Sequence, residues 1–347
     1  MRLGLIPANP VEWLVTRLNL VPRPLLDTQL AFTLARIVMV ASKIGLFDAL
    51  AAGPATAEQI AVRCDTDAEG TAKLLPALIS SGYLRARGET YRLTAMSRKW
   101  LLSTSPHSLA DKLLFQFSEW DWMERAEEFV RTGKQEDFHA TLASQEWRLY
   151  QRGMRSVASA ATDSLVKAIP IPSGATRLLD IGGSHGLYSA ALCRRHPKLN
   201  SVVLDLEGAV EHAAPLLAAE GLGERLCHQV GNALTDDLGT ERYDAVIIVG
   251  VVHHFTDAQN RSLAAKVARA LRPGGTYTIA DFFRLPHASQ AQQLPALLDF
   301  YFALTSESGT WSPAQMADWQ RSAGLVPGKP RQLPAASVGL QHATKPG

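Results

Sequence analysis

Past Thr176 the chain changes its hydrophobic period. Short runs rich in β-branched and aliphatic residues, "TRLLDIG", "NSVVLDL", "YDAVIIVGV" and "GTYTIADFF", alternate with segments long enough for helices. Strands that read as near-continuous apolar runs are buried on both faces, and helices between them join the strands in parallel. The second half is therefore confined to an α/β arrangement, a parallel sheet covered by helices. The first part of the chain is built differently. From Thr28 to about Leu101 apolar residues recur at helical spacing in "TQLAFTLARIVMVASKIG", "GLFDAL", "TAEQIAVRC" and "DAEGTAKLLPALISSGYL". Thr56, with Gln59 three residues on, has the spacing of a capping box. The stretch "YLRARGETYRLT" then reads as a small hairpin turning at Gly88.

Helices followed by a hairpin resemble a winged-helix module, whose simplest function would be DNA binding. The helix that would enter the groove, about Asp67 to Ser81, carries Lys73 as its only cation, so a dimerisation or scaffold role is the better reading. Lys plus Arg at 35 against Asp plus Glu at 33 gives no electrostatic case for nucleic acid or membrane, and the expected ligand is small. The start of the chain lacks the continuous apolar core of an export signal, and no membrane span is expected. Three scattered cysteines, Cys64, Cys193 and Cys227, make neither a disulfide framework nor a zinc cluster and suit a reduced cytoplasm. Residues 107 to 170 are helical again, with "SEWDWMERAEEFVRTG" and a long "SQEWRLYQRGMRSVASAATDSLVKAI". "IPIPSGAT" follows as a linker, broken by Pro170, Pro172 and Gly174.

The stretch "LLDIGGSHGLYSAAL" poses the functional question. "GGSHG" fits G-x-S-x-G, the sharp turn that presents a hydrolase's serine. It also fits a strand-to-helix turn that lets a nucleotide-like ligand approach bare backbone. A hydrolase elbow lies mid-sheet, whereas "TRLLDIG" is expected to be the first strand of its sheet. The ligand reading also uses more residues. Asp180 ends the strand, Gly182 and Gly186 permit close approach, and the next helix points its amide end at the ligand. Asp205, 25 residues beyond Asp180 at the tip of "VVLDL", can accept the hydroxyl protons of a ribose. Ser184 is then a small filler and not a nucleophile.

With "YDAVIIVGVVHHFTDAQ", "LRPGGTYTIADFF" and the tail "WSPAQMADWQRSAGL", this region resembles the class I S-adenosylmethionine (SAM) methyltransferases. Together with the winged front end, the chain resembles the dimeric small-molecule O-methyltransferases, which include plant phenolic and bacterial antibiotic enzymes. The resemblance implies a Rossmann-like methyltransferase sheet behind a mainly α winged-helix module. Residues 1–106 would dimerise, 107–174 would form a helical connector contributing to the substrate pocket, and 175–347 would bind SAM, leaving S-adenosylhomocysteine (SAH). Cofactor contacts are expected from Asp180, Gly182, Gly183, Gly186, Asp205, Leu206, Gly231, Asn232, Ala233 and Phe255. The family usually has Gly-Asp where this chain has Gly231-Asn232, and plant members have a lysine where it has Val249.

The family's general base is a histidine in a motif like "HDW", and "VVHHF" places His253 there, with His254 in the Asp position. Methyl transfer from a sulfonium needs no metal, and none is expected; a hydroxyl acceptor needs its proton removed, which an imidazole near neutral pKa can do. Asp281, at the end of "GTYTIADFF", is one methylene shorter than the family's orienting glutamate. Where the family has its second glutamate, in a motif like "GGKERT", this chain has "SESGTWS", with Glu307 as the available carboxylate. Trp147, Tyr150, Met154, His254, Phe300, Tyr301, Phe302 and Trp311 are candidate walls of a pocket for a flat apolar acceptor, although such spacings also suit plain core. The expected protein is a cytoplasmic homodimer that methylates a hydroxyl on an aromatic or polyketide-like metabolite. N-, S- or C-methylation, a non-methylating SAM relative, and a SAM-sensing DNA-binding regulator are the rival readings.

Overall fold

A computed structural model of the chain describes residues 6–135, 138–284, 292–333 and 338–347. It divides into two compact units, Met1–Phe117 and Ser118–Gly347. In the first unit α1 (Pro10–Arg17), α2 (Arg23–Leu25), α3 (Ala31–Lys43), α4 (Leu46–Ala49), α5 (Ala57–Cys64) and α6 (Ala68–Ser80) precede the antiparallel ribbon β1 (Leu84–Arg87) and β2 (Thr90–Leu93), followed by α7 (Ala95–Trp100). The capping box forms as its spacing predicts: Thr56 Oγ1 accepts the Gln59 N–H at 3.3 Å and Gln59 Oε1 accepts the Thr56 N–H at 3.0 Å. Leu46, Phe47, Leu50, Ile60, Leu75, Leu78 and Leu84 close a core. Trp13, Leu14, Leu18, Leu30 and Phe32 remain about half exposed on the surface of this unit. Arg23–Lys43 is long and apolar enough, by length and composition, to cross a membrane.

The segment "SEWDWMERAEEFVRTG" is not one helix. α8 (Ala110–Met123) and α9 (Ala126–Thr132) are separated by a turn in which Glu124 N–H and Arg125 N–H bond carbonyls three residues back. α10 (Ser144–Ala168) then leads into the sheet: β3 (Arg177–Ile181), α11 (Leu187–Arg195), β4 (Asn200–Asp205), α12 (Glu207–Ala218), β5 (Leu226–Val230), β6 (Tyr243–Val249), α13 (Asp257–Ala270) and β7 (Leu271–Asp281). α14 (Gln293–Thr305), α15 (Pro313–Ser322), β8 (Val326–Pro327), β9 (Arg331–Leu333) and β10 (Val338–Thr344) complete it. The strand order is β5-β4-β3-β6-β7-β10-β8, with β9 paired to β10. β5 through β7 are parallel, and β10 runs antiparallel to β7.

Both faces of the sheet are buried, as the near-continuous apolar strands require. Leu179 and Ile181 join Val246, Ile248, Tyr277 and Ile279 beneath Leu263 and Val267 of α13 and Met316 and Trp319 of α15. Leu178, Ala245 and Ile247 face the other way, onto Leu165 and Val166 of α10 and Leu192 of α11. Each such Leu or Ile contributes about 1.5–3 kcal/mol by leaving water. From β3 the chain winds outward to β4 and β5, and then returns to place β6 and β7 on β3's other side. The carboxyl ends of β3 and β6 therefore flank a switch point, where a crevice opens in folds of this kind.

Candidate active site

The loop after β3 is packed from beneath. Asp180 is buried, and its Oδ2 accepts a 2.7 Å bond from the Ser189 hydroxyl, which in turn accepts one from Ser201 at 2.8 Å. Gly182 has φ +65°, and a Cβ there would sit 2.8 Å from Val251 Cγ2. At Gly183 a Cβ would lie 2.4 Å from the carboxyl carbon of Asp180. Gly186 caps α11. Ser184 adopts φ +50°, unusual for a residue with a side chain, and its N–H donates to Asp205 Oδ2 at 2.9 Å. Its hydroxyl donates to Oε1 of Gln151, and its carbonyl lies 2.8 Å from Nε2 of His228. A hydrolase elbow needs a base on that hydroxyl, and Gln151 is not one.

Asp205 ends β4 with Oδ1 accepting the Leu206 N–H at 2.8 Å. Each of its oxygens thus takes one backbone bond and keeps a lone pair for a ligand. Gly231 N–H donates to the Asp205 carbonyl at 2.9 Å, which brings the end of β5 alongside. Asn232 is exposed, with Oδ1 turned back onto the Leu234 N–H at 2.9 Å. Ala233 is buried, Leu206 exposed, and Phe255 half-buried against the core under the sheet.

Burial pushes the Asp180 carboxyl up to about 7, with Asp205 adding to the rise, and burial pulls His185 down to about 3, helped by Arg155 and His228. An ordinary Asp is ionised in the unfolded chain from about 3.8 upward, whereas folded Asp180 keeps its proton until near 7. Its contribution to stability is thus full below the lower value and lost as pH rises through the upper one. Urea unfolding of Asp180→Asn beside the parent from pH 4 to 8 should show the parent weakening relative to the variant, on the order of a few kcal/mol, and levelling off above pH 7. A gap that does not move with pH would refute the buried proton.

The second strand end carries the titratable pair. β6 pairs with β7, so the loops that follow them are neighbours. A short 3₁₀ turn, Val252–His254, buries His253 with Nδ1 2.9 and 3.0 Å from the two oxygens of Asp281. Asp281 Oδ1 also accepts the Phe282 N–H at 2.8 Å. A carboxylate only accepts, so neutral His253 carries its proton on Nδ1 and offers the lone pair of Nε2. Thr256 and Gln259 form the expected capping box of α13. Asn260 Nδ2 donates to the carbonyls of Val252 and Phe255 at 3.1 and 3.0 Å. The Phe302 ring stacks on His253 with centroids 3.8 Å apart, and His254 lies 4.3 Å away.

The remaining candidates are dispersed. Glu307 is exposed, near Gln259 Nε2 at 3.5 Å. Trp311 belongs to the core: its indole donates to the Val252 carbonyl at 3.0 Å and its ring meets Trp319 edge-on at 5.1 Å. Tyr301 donates its hydroxyl to Glu119 at 2.6 Å, and Phe300 meets Phe129 edge-on. Trp147 packs edge-on against Tyr150, beside Gly208 of α12, and Met154 is half-buried. Sequence reasoning missed Gln151 and His228, which grip the Ser184 loop, and Asp299, which accepts the Thr310 N–H at 2.8 Å.

Residues 117–325 match the model of an O-methyltransferase domain, and residues 26–103 that of an O-methyltransferase dimerisation domain. A 3-hydroxy-5-methyl-1-naphthoate 3-O-methyltransferase from Streptomyces sahachiroi is 29% identical, covering 87% of this chain and 89% of the relative. An N,N-dimethyltransferase from Streptomyces rimosus is 28% identical, covering 76% and 79%. The crystal structure of human N-acetylserotonin methyltransferase in complex with SAM superposes with a TM-score of 0.83 at 21% identity, covering 94% of this chain and 97% of that one.

Proposed function

Because the chain belongs to the O-methyltransferase family, whose members take their methyl group from SAM, we propose that it methylates a hydroxyl on a small aromatic or polyketide-like metabolite, with His253 as general base. The observation that carries this reading is the buried His253–Asp281 contact at the mouth of β6. When bound, SAM supplies an electrophilic methyl group on a sulfonium. The chain's residues fit such a ligand: Asp205 has a free lone pair on each oxygen, Asp180 Oδ1 has no partner among the described residues, and α11 presents its amide end after Gly186. Gly182 and Gly183 keep the loop free of side chains, while Leu206, Gly231, Asn232, Ala233 and Phe255 would line the adenosyl end.

His253 Nε2 takes the acceptor's hydroxyl proton as the oxygen attacks, and Asp281 holds the ring and steadies the imidazolium that forms. Phe302 and His254, both against the His253 ring, would border the acceptor. Glu307, exposed as it stands, would reach the reaction only after a movement of its segment. Calorimetry with SAH, followed by transfer of labelled methyl from SAM to hydroxynaphthoates and polyketide phenols, tests the function. SAH binding with no labelled phenol ether formed from any of them would reject O-methylation.

We also assign dimer formation to residues 1–106, on the match to a dimerisation domain and the apolar surface left by Trp13, Leu14, Leu18, Leu30 and Phe32. The connector 107–174 and the SAM-binding part 175–347 follow as expected boundaries. The run Arg23–Lys43 goes to this interface and not to a membrane, since Asp27 and Arg36 interrupt it. The free cysteines suit the cytoplasm. Sedimentation should give twice the 37.7 kDa chain mass, and Phe32→Glu with Leu30→Glu should halve it. A monomer in the parent protein would reject this assignment.

A further inference from the structure

The segment Ser306–Trp311 joins α14 to α15 and ties down the loop that carries His253. Gly309 N–H donates to the His253 carbonyl at 3.1 Å, and the Trp311 indole donates to the neighbouring Val252 carbonyl at 3.0 Å. Asp299 of α14 holds the segment in turn. Its Oδ1 accepts the Thr310 N–H at 2.8 Å, the Thr310 hydroxyl at 2.5 Å and Arg284 Nε at 3.3 Å. Thr310 is buried and the Asp299 side chain is 33% exposed, so if the carboxylate is removed only water entering from that side could replace it for these two donors. Phe302, three residues after Asp299 and hence on the same face of α14, stacks on the imidazole. One turn of one helix thus meets the histidine twice, through its ring at Phe302 and through its backbone by way of Asp299, Thr310 and Gly309.

We propose that Asp299 is the positioning residue for His253, fixing the Thr310 segment that holds the base loop in place. The proposal rests on His253 acting as the base. Asp281 sets the tilt of the ring, but the carbonyls of Val252 and His253 set where the ring stands. Without Asp299 the segment loses the acceptor of both Thr310 donors, and the base loop loses one of its holds, Asn260 on the Val252 carbonyl being another. Glu307, the carboxylate nearest in the sequence to the family's second glutamate, makes no such link: it is exposed beside Gln259.

Asp299→Ala, Asp299→Asn and His253→Ala separate the possibilities. The readouts are kcat, acceptor KM, SAH affinity by calorimetry, and the low-field proton resonance of the His253 Nδ1–H bonded to Asp281, assigned by its loss in His253→Ala. Asp299→Ala should lower kcat roughly 10- to 100-fold, the scale of a misplacement near 1 Å, broaden the resonance and leave SAH affinity unchanged. Asp299→Asn keeps an acceptor oxygen for Thr310 and should restore most of both. If Asp299→Ala does not fold, Thr310→Val, which removes only the hydroxyl, should act in the same direction. Parent-like kcat with a sharp resonance in the variant that folds would overturn the proposal. So would equal losses in the Ala and Asn variants accompanied by weakened SAH binding, the signature of general unfolding. Normal turnover by His253→Ala would reject the base itself, while the resonance would still report whether Asp299 positions the ring.

Discussion

Alanine at position 253 is expected to lower turnover roughly 10²- to 10⁴-fold, the usual contribution of a positioned general base, while SAH binds as it does to the parent. The two effects separate because the structure separates their causes. The imidazole stands after β6 with Nδ1 against Asp281, whereas the proposed nucleoside contacts lie at the ends of β3, β4 and β5. The substitution also strips Phe302 of its stacking partner, so a modest loss of thermal stability should accompany it. Single-turnover transfer of labelled methyl and SAH calorimetry, run on the same preparation, check both halves. Turnover at the parent rate would remove His253 from the mechanism and leave the fold assignment standing.

The second large effect is expected at Gly183. A methyl group there would lie 2.4 Å from the carboxyl carbon of Asp180, a distance that carbon atoms do not tolerate. Asp180 cannot yield, being fully buried and bonded to Ser189, so the loop must move instead. The next residue, Ser184, holds Asp205 through its N–H, and the displacement passes directly to the proposed ribose-binding carboxylate. Overpacking of this kind costs about 1–3 kcal/mol, and the same misfit should weaken SAH binding roughly tenfold or more. Calorimetry and thermal unfolding of Gly183→Ala test it. Parent-like affinity would overturn this expectation.

The parts of this protein that were readable from the chain are those whose physics is local or periodic. The capping boxes at Thr56 with Gln59 and Thr256 with Gln259 announce themselves by a hydroxyl and an amide three residues apart. The sheet announces itself by β-branched runs, and the glycine turn by three glycines in five residues after an apolar strand, although that packing as well as ligand approach demands them shows only in the structure. The meeting of His253 with Asp281 was legible only through the family resemblance; the structure adds that each follows or ends one of two adjacent parallel strands. What stayed hidden depends on contacts with no period. Gln151 meets Ser184 across 33 positions, and nothing in "YQRGM" marks its glutamine as a partner for a glycine loop. The family resemblance offers Glu307 as the available carboxylate near the place of the second glutamate, yet it is exposed while Asp299, on the preceding helix, takes the Thr310 bonds. Trp311 resembles a pocket wall, but its indole joins Asn260 Nδ2 at the Val252 carbonyl and its ring lies in the core.

The double grip of Asp281 on a single ring nitrogen bears on how the enzyme recovers between cycles. If His253 is the base, Nδ1 is engaged with Asp281, Phe302 covers one ring face and Nε2 has no hydrogen-bond partner among the described residues, so a proton gathered at Nε2 would leave by the doorway the acceptor enters. Reprotonation equilibrium with the medium then waits on the methylated product vacating that doorway. Catalytic resetting and product egress would in this way be a single event, and small buffer bases able to enter the emptied site should hasten it.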